Sequence, residues 1–253
     1  MKTWLSRIIV LLSGVGSLLM FAWPLIISSN ENSEAQVAQT VFIVLMPLIL
    51  TVMVIEFSSG DITPKQLALL GVLIALNAVV RMLGAGTAGI ETAFFLVIIG
   101  AYVFGSGFGF LLGSGSIFVS ALITGGVGPW LPFQMMGVGL VGLGAGLIPK
   151  ASKWLEKANL VIYAVLASFA YGSLMTLWNW PYLAGTGTSV SYQAGASVAS
   201  NLGRFIQYEL VTGGFFWDAG RAITTSVLIL LTSTALITSL RRAATKAGVV
   251  SKS

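Results

Sequence analysis

The chain has no cysteine and no histidine, and only 8% of its 253 residues are charged. Without those two residue types it lacks the usual ligands of zinc, haem and iron–sulfur centres, a thiol nucleophile and an imidazole base. Most intramembrane enzyme chemistry is excluded by that alone, and no resident cofactor or metal is expected. Soluble domains carry about 25% charged residues. A chain that is 56% hydrophobic, with mean hydropathy +0.94, cannot hide its apolar surface in one aqueous-phase core. The lipid bilayer is its solvent. The net charge of +5 comes from short basic clusters beside apolar runs rather than from an exposed stripe, so nucleic acid is not an expected partner.

What the chain does have is apolar runs long enough to cross a bilayer, about 30 Å of hydrocarbon at 1.5 Å per residue. There are eight, at 7–28, 38–57, 66–83, 90–105, 107–124, 132–149, 158–180 and 213–240. Lys2 and Arg7 before Ile8–Ile27 imitate a secretory signal, whose apolar region is usually about 7–15 residues; this run is about 20, and reads as a retained first helix. Runs four and five are short and joined only by Gly105, Ser106 and Gly107, so they either stay separate, merge or re-enter. Glu31 and Glu34 follow the first run, while Lys65, Lys150, Lys153, Lys157, Arg241, Arg242, Lys246 and Lys252 follow even-numbered ones. The positive-inside rule then puts both termini in the cytoplasm, and an even number of crossings agrees. Arg81, Arg204 and Arg221 are left at or beyond the outer face.

Features beyond lipid packing gather on that outer side. Gly128-Pro-Trp-Leu-Pro-Phe-Gln134 holds Trp130, Phe133 and Gln134 at a proline-stiffened helix start, a flat apolar surface beside an amide. Trp178, Asn179 and Trp180 form a second cluster, and Trp217, Asp218 and Arg221 a third, in which Asp218 and Arg221 share a helix face and can pair. Asn77 and Arg81 lie one turn apart near the end of the third run, with Glu91 opening the fourth. Trp4, Trp23 and Trp154 are expected in an interfacial aromatic belt. The segment 181–212 reads as a flexible lid followed by an interfacial helix with apolar residues at 198, 202, 205 and 206. Gly137, Gly139, Gly142, Gly144 and Gly146 suit close helix packing, as does the stripe Ala68, Gly71, Ala75, Ala78, whose partner is either this chain or another subunit.

From about 66 to 242 the chain resembles the substrate-binding S component of an energy-coupling factor vitamin transporter. The resemblance rests on Ala68–Arg81, on Glu91–Gly113 with Tyr102-Val-Phe-Gly-Ser-Gly-Phe-Gly-Phe-Leu-Leu-Gly113, on Gly125–Gly146, and on Trp217-Asp-Ala-Gly-Arg-Ala222. It implies an all-α integral membrane protein with a six-helix core over 61–245, two additional helices in 1–60 and a cytoplasmic tail at 246–253. It also implies a transporter subunit that is no enzyme. Energy would come from two cytoplasmic ATPase subunits, reached through a membrane-coupling T subunit in a bacterial cell membrane, and no Gly-x-x-x-x-Gly-Lys-Ser/Thr occurs here. The family couples through Ala-x-x-x-Ala on its first core helix; Gly71-x-x-x-Ala75 stands in that place, with glycine for alanine, and makes Ala68, Gly71, Ala75 and Ala78 the expected partner-binding stripe. The outer segment and Gly-Pro-Trp-Leu-Pro-Phe-Gln look most like members assigned to cobalamin, with riboflavin or another vitamin as the alternative. On this reading the capture site comprises Asn77, Arg81, Trp130, Phe133, Gln134, Trp178, Asn179, Trp180, Trp217, Asp218 and Arg221. The competing expectation is a non-catalytic membrane scaffold, which needs no polar-lined cavity.

Overall fold

The computed structural model describes residues 63–84, 90–184 and 187–246, with 15, 16, 18–26 and the single positions 40, 44, 47, 49, 51 and 55 nearer the N-terminus. Most of the runs expected at 7–28 and 38–57 lies outside the described residues, as do Trp4, Glu31, Glu34, Glu56 and positions 247–253. Among the described residues seven helices follow a short helical turn at Trp23–Ile26: α1 Pro64–Gly84, α2 Ala93–Phe104, α3 Ser106–Thr124, α4 Leu131–Ala145, α5 Lys153–Leu183, α6 Val198–Thr212 and α7 Gly214–Lys246. Among the described residues there is no strand. The protein is an all-α integral membrane protein. Helices α1, α3, α5 and α7 are long and apolar enough to cross a membrane, whereas α2 and α4 are apolar but short.

The short pair sets the architecture. At 1.5 Å per residue α2 is about 18 Å long and α4 about 23 Å, against about 32 Å for α1. Both are buried along most of their length, so the long helices wall them in. Gly105 separates α2 from α3 with φ of 100°, a backbone conformation that glycine adopts freely, and the chain reverses there. Runs four and five are therefore two antiparallel helices rather than one. The ends of α4, α5 and α7 also differ from the apolar runs: α4 stops at Ala145, while α5 and α7 extend through polar turns at Lys153–Lys157 and Arg241–Lys246.

Helices α3 and α4 meet backbone to backbone. A Cβ at Gly142 would land on the Gly109 carbonyl, one at Gly113 on the Val138 carbonyl, and one at Gly139 on Ser114 and Phe110. Ser114 Oγ seals the contact by donating to Met135 O at 3.0 Å. Gly144 and Gly137 lie under the rings of Tyr163 and Tyr171 of α5, so one helix spends its glycines on two neighbours. In lipid, where apolar surface gains little by leaving the solvent, such close approach drives association.

Two expectations change. Trp23 is not in an interfacial belt: it is 2% exposed, and its indole Nε1 donates to Trp178 O at 2.9 Å. A buried indole needs that acceptor, which draws the N-terminal segment onto α5. Trp154, by contrast, is 75% exposed at the end of α5. The segment after α5 is pinned rather than loose. Trp180, fully buried, donates to Val190 O at 3.0 Å and packs edge-on against Tyr192 and Phe205, while Asn201 Nδ2 donates to Gln193 O and Asn201 Oδ1 accepts the Gln193 N–H. Ser197 caps α6 through the Ser200 N–H.

The glycine seam makes a direct prediction. Gly142→Ala forces α3 and α4 apart and should destabilise the detergent-purified protein by about 2–3 kcal/mol or more. Gly71→Ala has nothing within 4 Å of the new methyl and should be neutral or stabilising by up to about 1 kcal/mol through helix propensity. Thermal melts of both variants check the contrast; equal melting would mean the seam is not a close contact.

Candidate functional site

Because α2 is short and starts only at Ala93, space is left between the ends of the longer helices beside it. A cavity of about 420 Å³ occupies that end of the bundle. Arg81 and Met82 of α1, Glu91 before α2, Ser120 and Thr124 of α3 and Gln134 of α4 form part of its wall. Tyr171 and Met175 of α5 with Trp217 and Arg221 of α7 complete it. Alternating helix direction brings the starts of α2, α4 and α7 and the far turns of α1, α3 and α5 to this end. The basic residues Lys65, Lys150, Lys157, Arg241, Arg242 and Lys246 belong to the other end.

Asp218 and Arg221 pair at 2.5 Å and are both buried, 4% and 7% exposed. Arg221 Nη1 also donates to Ser168 O at 3.2 Å, and its guanidinium carbon lies 5.0 Å from the Tyr171 ring centroid and 5.8 Å from that of Phe94. The aspartate sits against α5 where Gly172 has no side chain; a Cβ there would coincide with the carboxylate. Removing charges from water is costly, and here a counter-ion, a carbonyl and two ring faces offset it. The pair thus locks α7 to α5 while leaving Arg221 in the cavity wall.

Arg81 is held differently. Nη1 donates to Ser120 Oγ at 2.8 Å, whereas Nε is buried with no hydrogen-bond partner among the described residues. Glu91, in the same wall, accepts the Ala93 N–H at the head of α2 through Oε1 at 3.2 Å. The two ion pairs among the described residues are Arg221–Asp218 and Arg241–Glu156, so Arg81 and Glu91 face one cavity without pairing.

Of the residues expected to form a capture site, Arg81, Gln134, Trp217 and Arg221 line this cavity and Asp218 stands behind Arg221. The others lie elsewhere. Phe133 and Trp178 stack face to face, with centroids 4.1 Å apart and planes at 4°, in the core. Phe133 precedes Gln134 by one residue, and successive helix positions point about 100° apart, so the two cannot share the wall. Trp130 is 45% exposed; its ring folds over Gly128 and its Nε1 donates to Gly126 O at 3.2 Å. Trp180 anchors the segment that follows α5, and Asn179 beside it is half-buried away from the wall. Asn77 is fully buried in α1 with both amide atoms unpartnered among the described residues.

Tyr171, Met175, Ser120, Thr124 and Met82 were not anticipated. Each lies within an apolar run, where one side chain carries no motif. The available signal was periodicity: Tyr171 and Met175 are four apart on α5 and therefore on one face.

These features define a multi-pass helical membrane protein with a polar cavity at one end of its bundle. The family model for the ECF transporter, substrate-specific component, matches residues 65–242, and the chain belongs to that family. Its members are substrate-binding components of transporters, not enzymes in themselves. A search of curated proteins and one of solved structures each found no match.

Removing one member of the buried ion pair tests its structural weight. Asp218→Ala leaves Arg221 without a counter-ion and should cost about 3–5 kcal/mol, read as a lower melting temperature in detergent. Asn77→Leu should instead raise the melting temperature, since it removes an unsatisfied buried amide worth about 1–3 kcal/mol. A fall on Asn77→Leu would show that its amide has a partner.

Proposed function

We propose that the chain is the substrate-capture subunit of an ECF-type importer and that its ligand is a compact vitamin bound in the Arg81–Gln134–Trp217 cavity. The observation that carries this reading is the cavity itself. A scaffold has no use for about 420 Å³ lined by unengaged donors and acceptors. The Gln134 amide, the Tyr171 hydroxyl and the Trp217 indole make no hydrogen bond among the described residues, and a ligand satisfies them.

The volume bears on the substrate. Pockets for drug-sized molecules run from about 300 to 1,000 Å³, and this one is near the lower end. Cobalamin, with its corrin ring and nucleotide loop, is several times bulkier than such a molecule. The pinned outer segment and aromatic content that favoured cobalamin serve packing here, with Trp180 and Trp178 both buried. A smaller vitamin fits the space better.

Orientation follows from charge. The cavity end carries Arg81, Arg204 and Arg221, and the opposite end carries Lys65, Lys150, Lys157, Arg241, Arg242 and Lys246. By the positive-inside rule the cavity opens outward in a bacterial cell membrane, with both termini in the cytoplasm. Energy then comes from a membrane-coupling T subunit and two ATPase subunits. Ala68, Gly71 and Ala75 are exposed on α1, and a methyl at Gly71 would meet nothing, so this face is open for close contact with the T subunit. Ala78 is fully buried and belongs to the chain's own core.

Ala75→Leu should block ATP-driven uptake in cells carrying the T and ATPase subunits, yet leave the amount of ligand co-purifying with the isolated chain unchanged. Tyr171→Phe and Gln134→Ala should lower that occupancy on the order of tenfold, with Trp130→Ala as the variant that leaves it intact. Undiminished uptake by Ala75→Leu would remove α1 from the coupling surface. Loss of occupancy in Trp130→Ala but not in the cavity variants would put the ligand elsewhere.

A further inference from the structure

We infer that the ligand of this cavity carries a carboxylate, or an equivalent oxyanion, and that Arg81 receives it. The inference rests on the capture reading above and adds the chemical class of what is captured.

Four ionised side chains belong to the site. Arg221 and Asp218 neutralise each other at 2.5 Å. Glu91 is not paired with an arginine, but Oε1 accepts the Ala93 N–H where the positive end of α2 favours an anion. Arg81 alone has no such compensation. Its Nη1 is spent on a neutral hydroxyl, Ser120 Oγ, and its Nε–H, like that of the ion-paired Arg221, has no acceptor among the described residues. A buried guanidinium without a counter-ion is costly, and that sets Arg81 apart from Arg221.

The unpaired charge selects the chemistry of the missing acceptor. With Nη1 engaged and Nε enclosed by the fold, Nη2 is the guanidinium nitrogen left for a ligand. An anionic oxygen answers both its N–H and the uncompensated charge behind it, whereas a neutral carbonyl or hydroxyl answers only the N–H. The surroundings suit the rest of such a molecule. Tyr171 and Trp217 offer ring surface, Met82 and Met175 apolar volume, and the second oxygen of Glu91 accepts an N–H or O–H from the ligand's other end.

The test uses the full-length protein in detergent. Small molecules released from it are identified by mass spectrometry, and their charge at neutral pH is read by electrophoresis. In parallel, binding is measured for matched acid and amide pairs: nicotinate and nicotinamide, biotin and biotinamide, lipoate and lipoamide. The expected result is a released anion, or an acid preferred over its amide by on the order of tenfold to a hundredfold. Arg81→Met should abolish that preference and Arg81→Lys restore it in part. A loss of affinity that is equal for acid and amide would mean Arg81 is merely structural.

If Arg81→Met does not fold, Ser120→Ala, which leaves the guanidinium in place, must retain the acid preference. A released ligand that is neutral or cationic, with amides bound as well as acids, overturns the inference and leaves the capture reading standing. No released molecule and no binding of any acid or amide overturns both.

Discussion

Contact between the backbones of α3 and α4 governs this structure. Lipid offers no hydrophobic gain for bringing helices together, so packing must come from surfaces that approach closely over a long distance. Gly109 against Gly142, and Gly113 against Val138, supply it at two levels one turn apart. Once that seam is fixed, Ser120 and Thr124 at the far turns of α3 lie opposite Gln134 at the first turn of α4, and one side of the cavity is built. The other side depends on Gly172, whose missing side chain lets the Asp218 carboxylate reach α5 and hold Arg221 beside Tyr171. Glycine is therefore used at both seams to bring polar groups to positions that bulkier packing would deny them.

The two ends of the bundle are organised in opposite ways. At the basic end Tyr102 donates to Glu156, which also receives Arg241, while Lys150 lies over the Tyr102 ring and donates to the Tyr102 carbonyl. Burial pushes the Lys150 ammonium below its usual range, with the nearby Arg241 adding to the effect and Glu156 opposing it. Glu156, Arg241 and Lys150 thus have partners within the chain, and α2, α5 and α7 are clamped together. At the cavity end the Gln134, Tyr171 and Trp217 polar groups have no hydrogen-bond partner among the described residues, and Arg81 has no counter-ion there. Ligand chemistry belongs where the protein has not satisfied itself.

Much of this was legible in the sequence, for reasons that differ by feature. Span positions follow from the length of apolar runs, and the six runs from 66 onward correspond to α1–α5 and α7. The interfacial spacing at 198, 202, 205 and 206 corresponds to α6. Pairing of Asp218 with Arg221 follows from a three-residue offset on a helix, and the glycine-rich 137–146 stretch from the needs of packing in lipid. The tryptophans were harder. Trp23, Trp178 and Trp180 are all buried, yet in sequence they look like interfacial residues, because the residues that accept from them or stack on them are distant in the chain: Trp178 O for Trp23, Phe133 for Trp178, Val190 for Trp180. Tyr171 and Met175 were hidden for the converse reason. They sit inside an apolar run, and only the shortness of α2 exposes them to a cavity.

That shortness also explains why α1 has two unlike faces. Its far turn must close a cavity that α2 is too short to fill, which puts Arg81 beside Ser120. The turns before it have no such neighbour on the opposite side, and Ala68, Gly71, Val72, Ala75 and Leu76 remain exposed. Arg81 lies six positions beyond Ala75, about 9 Å along the axis, within one continuous helix whose only proline is at its first position. A helix of this kind moves as a unit, since its backbone hydrogen bonds are all internal and lipid cannot replace them. Whatever fixes the tilt of α1 at the cavity therefore also fixes the surface it presents to the bilayer, and two side-chain hydrogen bonds hold that far turn among the described residues: Arg81 Nη1 donates to Ser120 Oγ, and Thr92 Oγ1 donates to Val80 O.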